Sequence, residues 1–491
     1  MFRRFRRLFV LILMCLFSPN FIFEGLAGPL ESIQTKVAQF LKRPGVRSAQ
    51  WGIQILDPAN DRVLVEVNPD KAFLPASVLK VVTTSAAVEK LGPDFRYRTG
   101  VYTNGTVEPG GVISQDLILV GRGDPNLTDP YKELLEKPAF EELAEKLHQA
   151  GVRKINGDVV GDDSYFDLRN GDGGWTAREL RSMYGAPINA LSINNNIVWV
   201  HMRPGARKKL VSVELEPRTS YFRIRNLGVT GSRRARRTIS ARLIPGTRTI
   251  VVSGVLPLSR YHSQHVLIEN PAELAAAMLR EELEKRGIEV RGGVDTLHFG
   301  DVSGEDRANW KFLTEHQSPP LISALQIINK RSQNLHAEML LRTLGAEFRG
   351  SGTNEAGLEA VKEFLVNAGI DSEKVRLNDG CGLSRENLLT PRFQTSLLQF
   401  VSRRPYFDLF LTTLAVSGTD GTLRNRLSAN EVRGSIHAKT GTLRGVTTLS
   451  GYMTTKSGRN LVFSIFANHV GATARVKRTI DEICALFVNL Y

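Results

Sequence analysis

A chain of 491 residues is longer than one hydrophobic core usually organises, so two or three domains are expected. Its 42% hydrophobic and 23% charged residues are those of a soluble globular protein and exclude the disordered and fibrous classes. A net charge of +14 favours anionic surroundings without specifying a partner, and 3 cysteines exclude a disulfide framework.

In chain order, Arg3, Arg4, Arg6 and Arg7 precede an apolar run from Leu8 to Phe17, and Gly25-Leu26-Ala27 offers a small-x-small cleavage site. The run is too short to span a bilayer, so residues 1–27 are expected to be a secretory signal peptide directing the mature chain to the periplasm. Loss of the four arginines and Glu24 takes the net charge from +14 to +11. Cys15 leaves with them, and whether Cys381 and Cys484 pair stays open. No later stretch approaches 18 continuous apolar residues, so no transmembrane span is expected in the mature chain. Export disfavours nucleic acid as a partner. The basic cluster Ser232 to Arg237 reads as a solvated loop, with peripheral attraction to anionic envelope material as its alternative.

A short amphipathic helix is expected over Leu30 to Leu41, then strands over Trp51 to Leu56 and Val63 to Val67. A helix opening at Ser77 runs to about Leu91 and stops at Gly92-Pro93. From Arg96 to Arg307 the texture changes to strands broken by Gly, Asn and Asp, with helices expected near Tyr131 to Ala150 and Pro271 to Arg286. Structureless loops of such length are uncommon, so this stretch reads as inserted domains. Helical spacing resumes over Leu321 to Leu344, Thr353 to Ala368 and Arg392 to Val401, before a strand pair at Thr447 to Thr454 and Asn460 to Asn468 and a last helix from Ala472 to Leu486.

Ser77 is the one serine followed three residues later by lysine, Lys80. Residues i and i+3 share a helix face, so the amine lies beside the hydroxyl, and a desolvated lysine can take a serine proton without any histidine. Lys439-Thr440-Gly441-Thr442 is the second signal, with Lys439 and Gly441 on one face of a strand. Ser-x-Asn occurs at Ser18, Ser192, Ser332 and Ser428, and of these Ser332-Gln333-Asn334 lies between the other two motifs at the head of a long helical pattern. His262 and His265 have a ligand-like spacing but no accompanying cluster, so they are expected to lie in a solvated loop, and neither a metal nor a cofactor is expected.

The ordered set S-x-x-K, S-x-N, K-T-G is the signature of penicillin-binding proteins and class A β-lactamases. With Gly123 to Thr128, Gly161 to Asp167, Tyr184 to Pro187 and Asp379 to Arg385, the chain resembles the D-alanyl-D-alanine carboxypeptidase/endopeptidase family of low-molecular-mass class C penicillin-binding proteins. The resemblance implies an α/β (α+β) fold, a transpeptidase-like antiparallel sheet flanked by helices with one or two inserted β-rich domains. The implied partition is a catalytic domain of residues 28–95 and 310–491, inserted domain II of residues 96–190 and 266–309, and inserted domain III of residues 191–265. It implies Ser77 as nucleophile, Lys80 as base and Ser332 as proton relay. Asn334, Lys439, Thr440, Gly441 and Thr442 are the implied substrate-binding residues, with Thr442 also donating to the oxyanion. Peptidoglycan peptides ending in D-Ala-D-Ala and β-lactams are the implied ligands. Gln333 and Cys381 depart from the usual pattern, which more often has aspartate and serine. A β-lactamase, or a catalytically silent envelope-binding protein, is the alternative reading.

Overall fold

The computed structural model describes residues 24–127, 137–167, 175–180 and 182–491, and the chain divides into two compact units. The basic and apolar parts of the expected leader lie outside the described residues. A helix expected from Leu30 begins at Glu24, and its first turn includes Gly25-Leu26-Ala27.

One unit joins the chain up to Phe73, Thr390–Gln399 and Ala415–Tyr491. Its strands form a six-stranded antiparallel sheet in the order Ala415–Val416, Ile436–Leu443, Val446–Thr454, Asn460–Asn468, Gln50–Asp57, Arg62–Val67. The two central strands are buried almost end to end, which explains why they read as continuous apolar runs and not as alternating ones. Ile480, Ile483 and Phe487 of the helix Thr473–Leu490 share one core with Ile33, Val37, Ile53, Leu449 and Phe463. Each such side chain contributes about 2 kcal/mol of burial. Elsewhere in this unit Phe73 packs on Phe466 with ring centroids 6.1 Å apart, and the Tyr452 hydroxyl donates to the Leu398 carbonyl in the helix Pro391–Ser402.

The second unit, Leu74–Leu389 and Phe400–Leu414, holds the Ser77 segment, the inserted sheets and, among the described residues, six helices of ten or more residues. Lys80–Leu91 packs on Asn334–Arg349 and Asn354–Asn367. The helical pattern from Leu321 is not one helix: Leu321–Lys330 ends, Ser332 takes φ +58, and Asn334 opens the next. Pro271–Lys285 starts as its sequence dictates, with Asn270 accepting from the Glu273 amide and proline in the first turn. Of the helix expected near Tyr131, Ala139–Gln149 is present, and residues 128–136 lie outside the described ones.

The insertion builds a five-stranded sheet ordered Val294–Leu297, Val159–Asp162, Leu117–Val120, Arg98–Thr103, Lys311–Gln317, so it extends past residue 310. Two three-stranded sheets cover residues 197–267, one of them including His262–Leu267. The expectation of a loop at His262 and His265 is therefore corrected. Residues three apart on a strand point to opposite faces, which separates the two rings. The fold class matches the expected α/β arrangement, an antiparallel sheet flanked by helices with β-rich insertions.

Candidate active site

Pro75 leads into a 3-10 turn over Ala76–Leu79, and the α-helix proper begins at Lys80. Ala76 is held at φ +48, a left-handed conformation disfavoured for alanine, immediately before the candidate nucleophile. Gly382 explains what holds it. At φ +83, a Cβ there would lie 2.0 Å from the Ala76 carbonyl oxygen, so the loop Asp379 to Ser384 is pressed against the turn. Thr83 adds a hydrogen bond to the Gly380 carbonyl at 2.7 Å.

Lys80 is fully buried, and its amine has three neighbours: Ser77 Oγ at 3.1 Å, Asn334 Oδ1 at 2.7 Å and the Cys381 carbonyl at 2.6 Å. An ammonium donates to all three. A neutral amine donates to the two that can only accept, Asn334 Oδ1 and the Cys381 carbonyl, and turns its lone pair to the Ser77 hydroxyl. The Asn334 amide is fixed in this sense because its Nδ2 donates to the Tyr184 carbonyl at 3.0 Å. Burial lowers the Lys80 pKa from its usual value, opposed by Cys381, Asp379 and Glu338. The Cys381 thiol is itself pushed far up by burial and stays neutral, which leaves the two carboxyl groups as the opposing charges.

Those two groups were not assigned from sequence. Asp379 Oδ1 accepts from the Gly382 amide at 2.7 Å and Asn387 Nδ2 at 2.9 Å, and Oδ2 from the Ser384 amide at 2.6 Å and Trp175 Nε1 at 2.9 Å. Glu338 accepts from the Gly380 amide at 2.9 Å, and burial, then Asp379, raise its pKa to about 7. The signal is present: Asp379 to Arg385 is one of the segments that carry the resemblance, and Glu338 lies one turn beyond Asn334, but a matching string does not say which atom faces which. Glu338, Asp379 and Cys381 form the one metal-like grouping among the described residues. The carboxylate oxygens are already taken up by N–H donors and Lys80 lies beside them, so the donor set suits an ammonium and not a metal ion.

The middle motif occupies the break between helices. Asn334, 6% exposed, holds Lys80, and Gln333 Nε2 donates to Asn195 Oδ1 at 2.9 Å. Ser332 is half-buried at its left-handed position. Cys381 and Cys484 are both free and buried.

In the other unit, Lys439, Thr440, Gly441 and Thr442 lie on Ile436–Leu443, which pairs with Val446–Thr454 so that Lys439 faces Ser450 and Thr442 faces Thr447. On its other edge the short strand Ala415–Val416 reaches only to Ala438, and beyond it the described residues supply no strand partner. Lys439 is fully buried and donates to the Thr440 carbonyl at 2.9 Å, whereas Thr442 is exposed.

A serine hydroxyl beside a buried amine is the arrangement that lysine-activated serine hydrolases require. The chain belongs to the D-Ala-D-Ala carboxypeptidase 3 (S13) family, whose model matches residues 33–488. It is 34% identical over 451 residues to the D-alanyl-D-alanine carboxypeptidase of Actinomadura sp. (strain R39), covering 89% of this chain and 81% of that protein. It is also 28% identical to the D-alanyl-D-alanine carboxypeptidase DacB of Haemophilus influenzae, covering 83% of each. The crystal structure of penicillin binding protein 4 (dacB) from Haemophilus influenzae superposes with a TM-score of 0.77 at 25% identity, over 92% of this chain and 99% of that one. The activity implied by the motifs, that of a serine-type D-Ala-D-Ala carboxypeptidase, is thus the chain's own.

Proposed function

We propose that Ser77 attacks the carbonyl between the two terminal D-alanines of a peptidoglycan stem peptide, with Lys80 as its general base. The observation that carries this is the Lys80 amine, 3.1 Å from Ser77 Oγ and held by two fixed acceptors. The Ser77 and Thr442 amides are the proposed oxyanion donors, each contributing on the order of 3 kcal/mol. Ser332 passes the proton to the leaving amine, helped by Lys439. Lys439, Thr440 and Thr442 bind the terminal carboxylate, Gly441 lets the substrate backbone approach, and the open edge of this strand suits an extended peptide. Asn334 serves the peptide amide as well as Lys80.

Water then releases the acyl group. When the leaving amine is D-alanine the reaction is a carboxypeptidase step, and when it is a cross-linked partner strand, an endopeptidase step. β-Lactams mimic the D-Ala-D-Ala end and acylate Ser77. The complex of the Haemophilus influenzae penicillin binding protein 4 with a novel beta-lactam supports β-lactams as ligands of this fold. We place the reaction in the periplasm, after removal of residues 1–27. We keep the catalytic and inserted domains as expected, with inserted domain II extended to residue 317 because Lys311–Gln317 pairs with Arg98–Thr103.

A β-lactamase would need a dedicated deacylating glutamate. The nearest motif, Glu363 to Asn367, lies in the helix Asn354–Asn367, where Glu363 pairs with Arg349 at 2.7 Å. Intact mass after penicillin treatment tests the assignment: one adduct on the wild type and none on Ser77→Ala. An adduct that persists on the variant would move the nucleophile elsewhere.

A further inference from the structure

Nearly all of the excess charge sits in one part of the insertion. Residues 197–267 hold 14 Lys and Arg against 2 Glu, while the whole chain is only +14. The two acids are engaged, Glu214 with Arg218 and Glu216 with His201. Arg248 pairs with Glu273. Among the described residues no ion pair joins the remaining basic side chains of this segment to a carboxylate, and all of them are exposed: Arg203, Arg207, Lys208, Lys209, the arginines of the Ser232 to Arg237 loop, Arg260, and three on a sheet. Ten of the twelve are arginine, whose planar fork matches phosphate oxygens in pairs.

The three on the sheet set the geometry. The strand Arg223–Gly231 runs parallel to Thr249–Pro257, which pairs antiparallel with Ser240–Leu243. Gly228 and Thr230 are buried, and on the neighbouring strands Ile250, Val252, Leu256 and Ala241 enter the core, so these mark the inner face. Side chains alternate, which puts Arg223, Arg225, Leu227 and Val229 on the outer face. Register places Arg225, Val251 and Arg242 in one row across it. Leu227 is 50% and Val229 37% exposed on that same face.

We propose that this outer face docks the protein on an anionic phospholipid surface. Phosphate-bearing headgroups complement a field of arginines that lacks acidic partners of its own. The exposed aliphatics between them have no role against a hydrated polyanion but can enter the acyl boundary. The inference is independent of the catalytic assignment, since none of these residues belongs to it.

The test is sedimentation of the full chain with vesicles of phosphatidylglycerol and phosphatidylcholine, against vesicles of phosphatidylcholine alone. Partition is expected on the mixed vesicles and to weaken with added salt. Arg223→Ser/Arg225→Ser/Arg242→Ser should weaken it on the order of a hundredfold, and Leu227→Ser severalfold, with release of D-alanine from a soluble dipeptide substrate unchanged as proof of folding. Equal partition on both vesicle types, or a triple variant that binds like the wild type, overturns the proposal. So does retention by soluble polyphosphate without partition onto vesicles, which would make the partner a polyanion.

Discussion

The cluster around Lys80 and the outer face around Arg225 use cations in opposite ways. Lys80 is fully buried, touches three oxygens and has two carboxyl groups nearby, so its charge is negotiable. The arginines of residues 197–267 are exposed and share the segment with only two acids, both engaged, so their charge is permanent and acts at a distance. Burial turns a cation into a reagent, and exposure turns it into an attractor.

The largest effects are expected where the buried cluster is cut. Lys80→Met should lower D-alanine release by on the order of a thousandfold or more while leaving the fold in place, because it removes the base without inserting a charge. Activity restored to within tenfold by that variant would end the role of Lys80 as base. Gly382→Ala should cost roughly 3 kcal/mol of stability, visible as a lowered denaturation midpoint, since it combines a left-handed backbone with a clash against the Ala76 carbonyl.

Next in size is a pH effect. Glu338 holds its proton to about pH 7 in the folded chain, while the same side chain unfolded loses it near 4.5. Between those values the folded state binds the extra proton, so stability is fullest below the unfolded value and falls as pH rises through the window. About 2 kcal/mol should be lost between pH 5.5 and 7.5 in the wild type, and Glu338→Gln should flatten that slope. Urea titrations of both proteins at the two pH values decide it. A slope that survives in the variant would assign the proton to another group. The smallest effect belongs to the exposed face, where Arg225→Ser should change stability by no more than about 0.5 kcal/mol. A larger loss would mean that the arginine packs and does not merely present charge.

Much of this was legible in the residues. The helices and strands of the catalytic part follow the spacing of apolar side chains, and the closeness of Ser77 to Lys80 follows from helical geometry, while their roles come from the other motifs and the resemblance they carry. What sequence spacing could not foresee was where a regular pattern breaks. Leu321 to Leu344 reads as one amphipathic run, yet Ser332 interrupts it at positive φ and so turns Asn334 towards Lys80. The loop Asp379 to Ser384 was equally opaque, because its contribution is a carbonyl, two glycines and a carboxylate satisfied by two backbone amides and the side chains of Asn387 and Trp175. Such contacts depend on chain path, and chain path leaves no periodicity to read.

One of those contacts has a consequence for variation at position 381. The shortest of the three bonds to Lys80 comes from the main chain of Cys381, at 2.6 Å, while its thiol is buried at 0% exposure. Every residue type carries that oxygen. The main-chain contact to the Lys80 amine is therefore kept whatever residue stands at 381, and the buried thiol is shielded from reagents in solvent. The side chain there touches Asp379, at 3.8 Å, and Glu338, the two carboxyl groups beside Lys80. Drift at this position leaves the carbonyl contact in place as long as the neighbouring glycines keep the loop in shape, and acts instead through the carboxyl groups that the side chain touches.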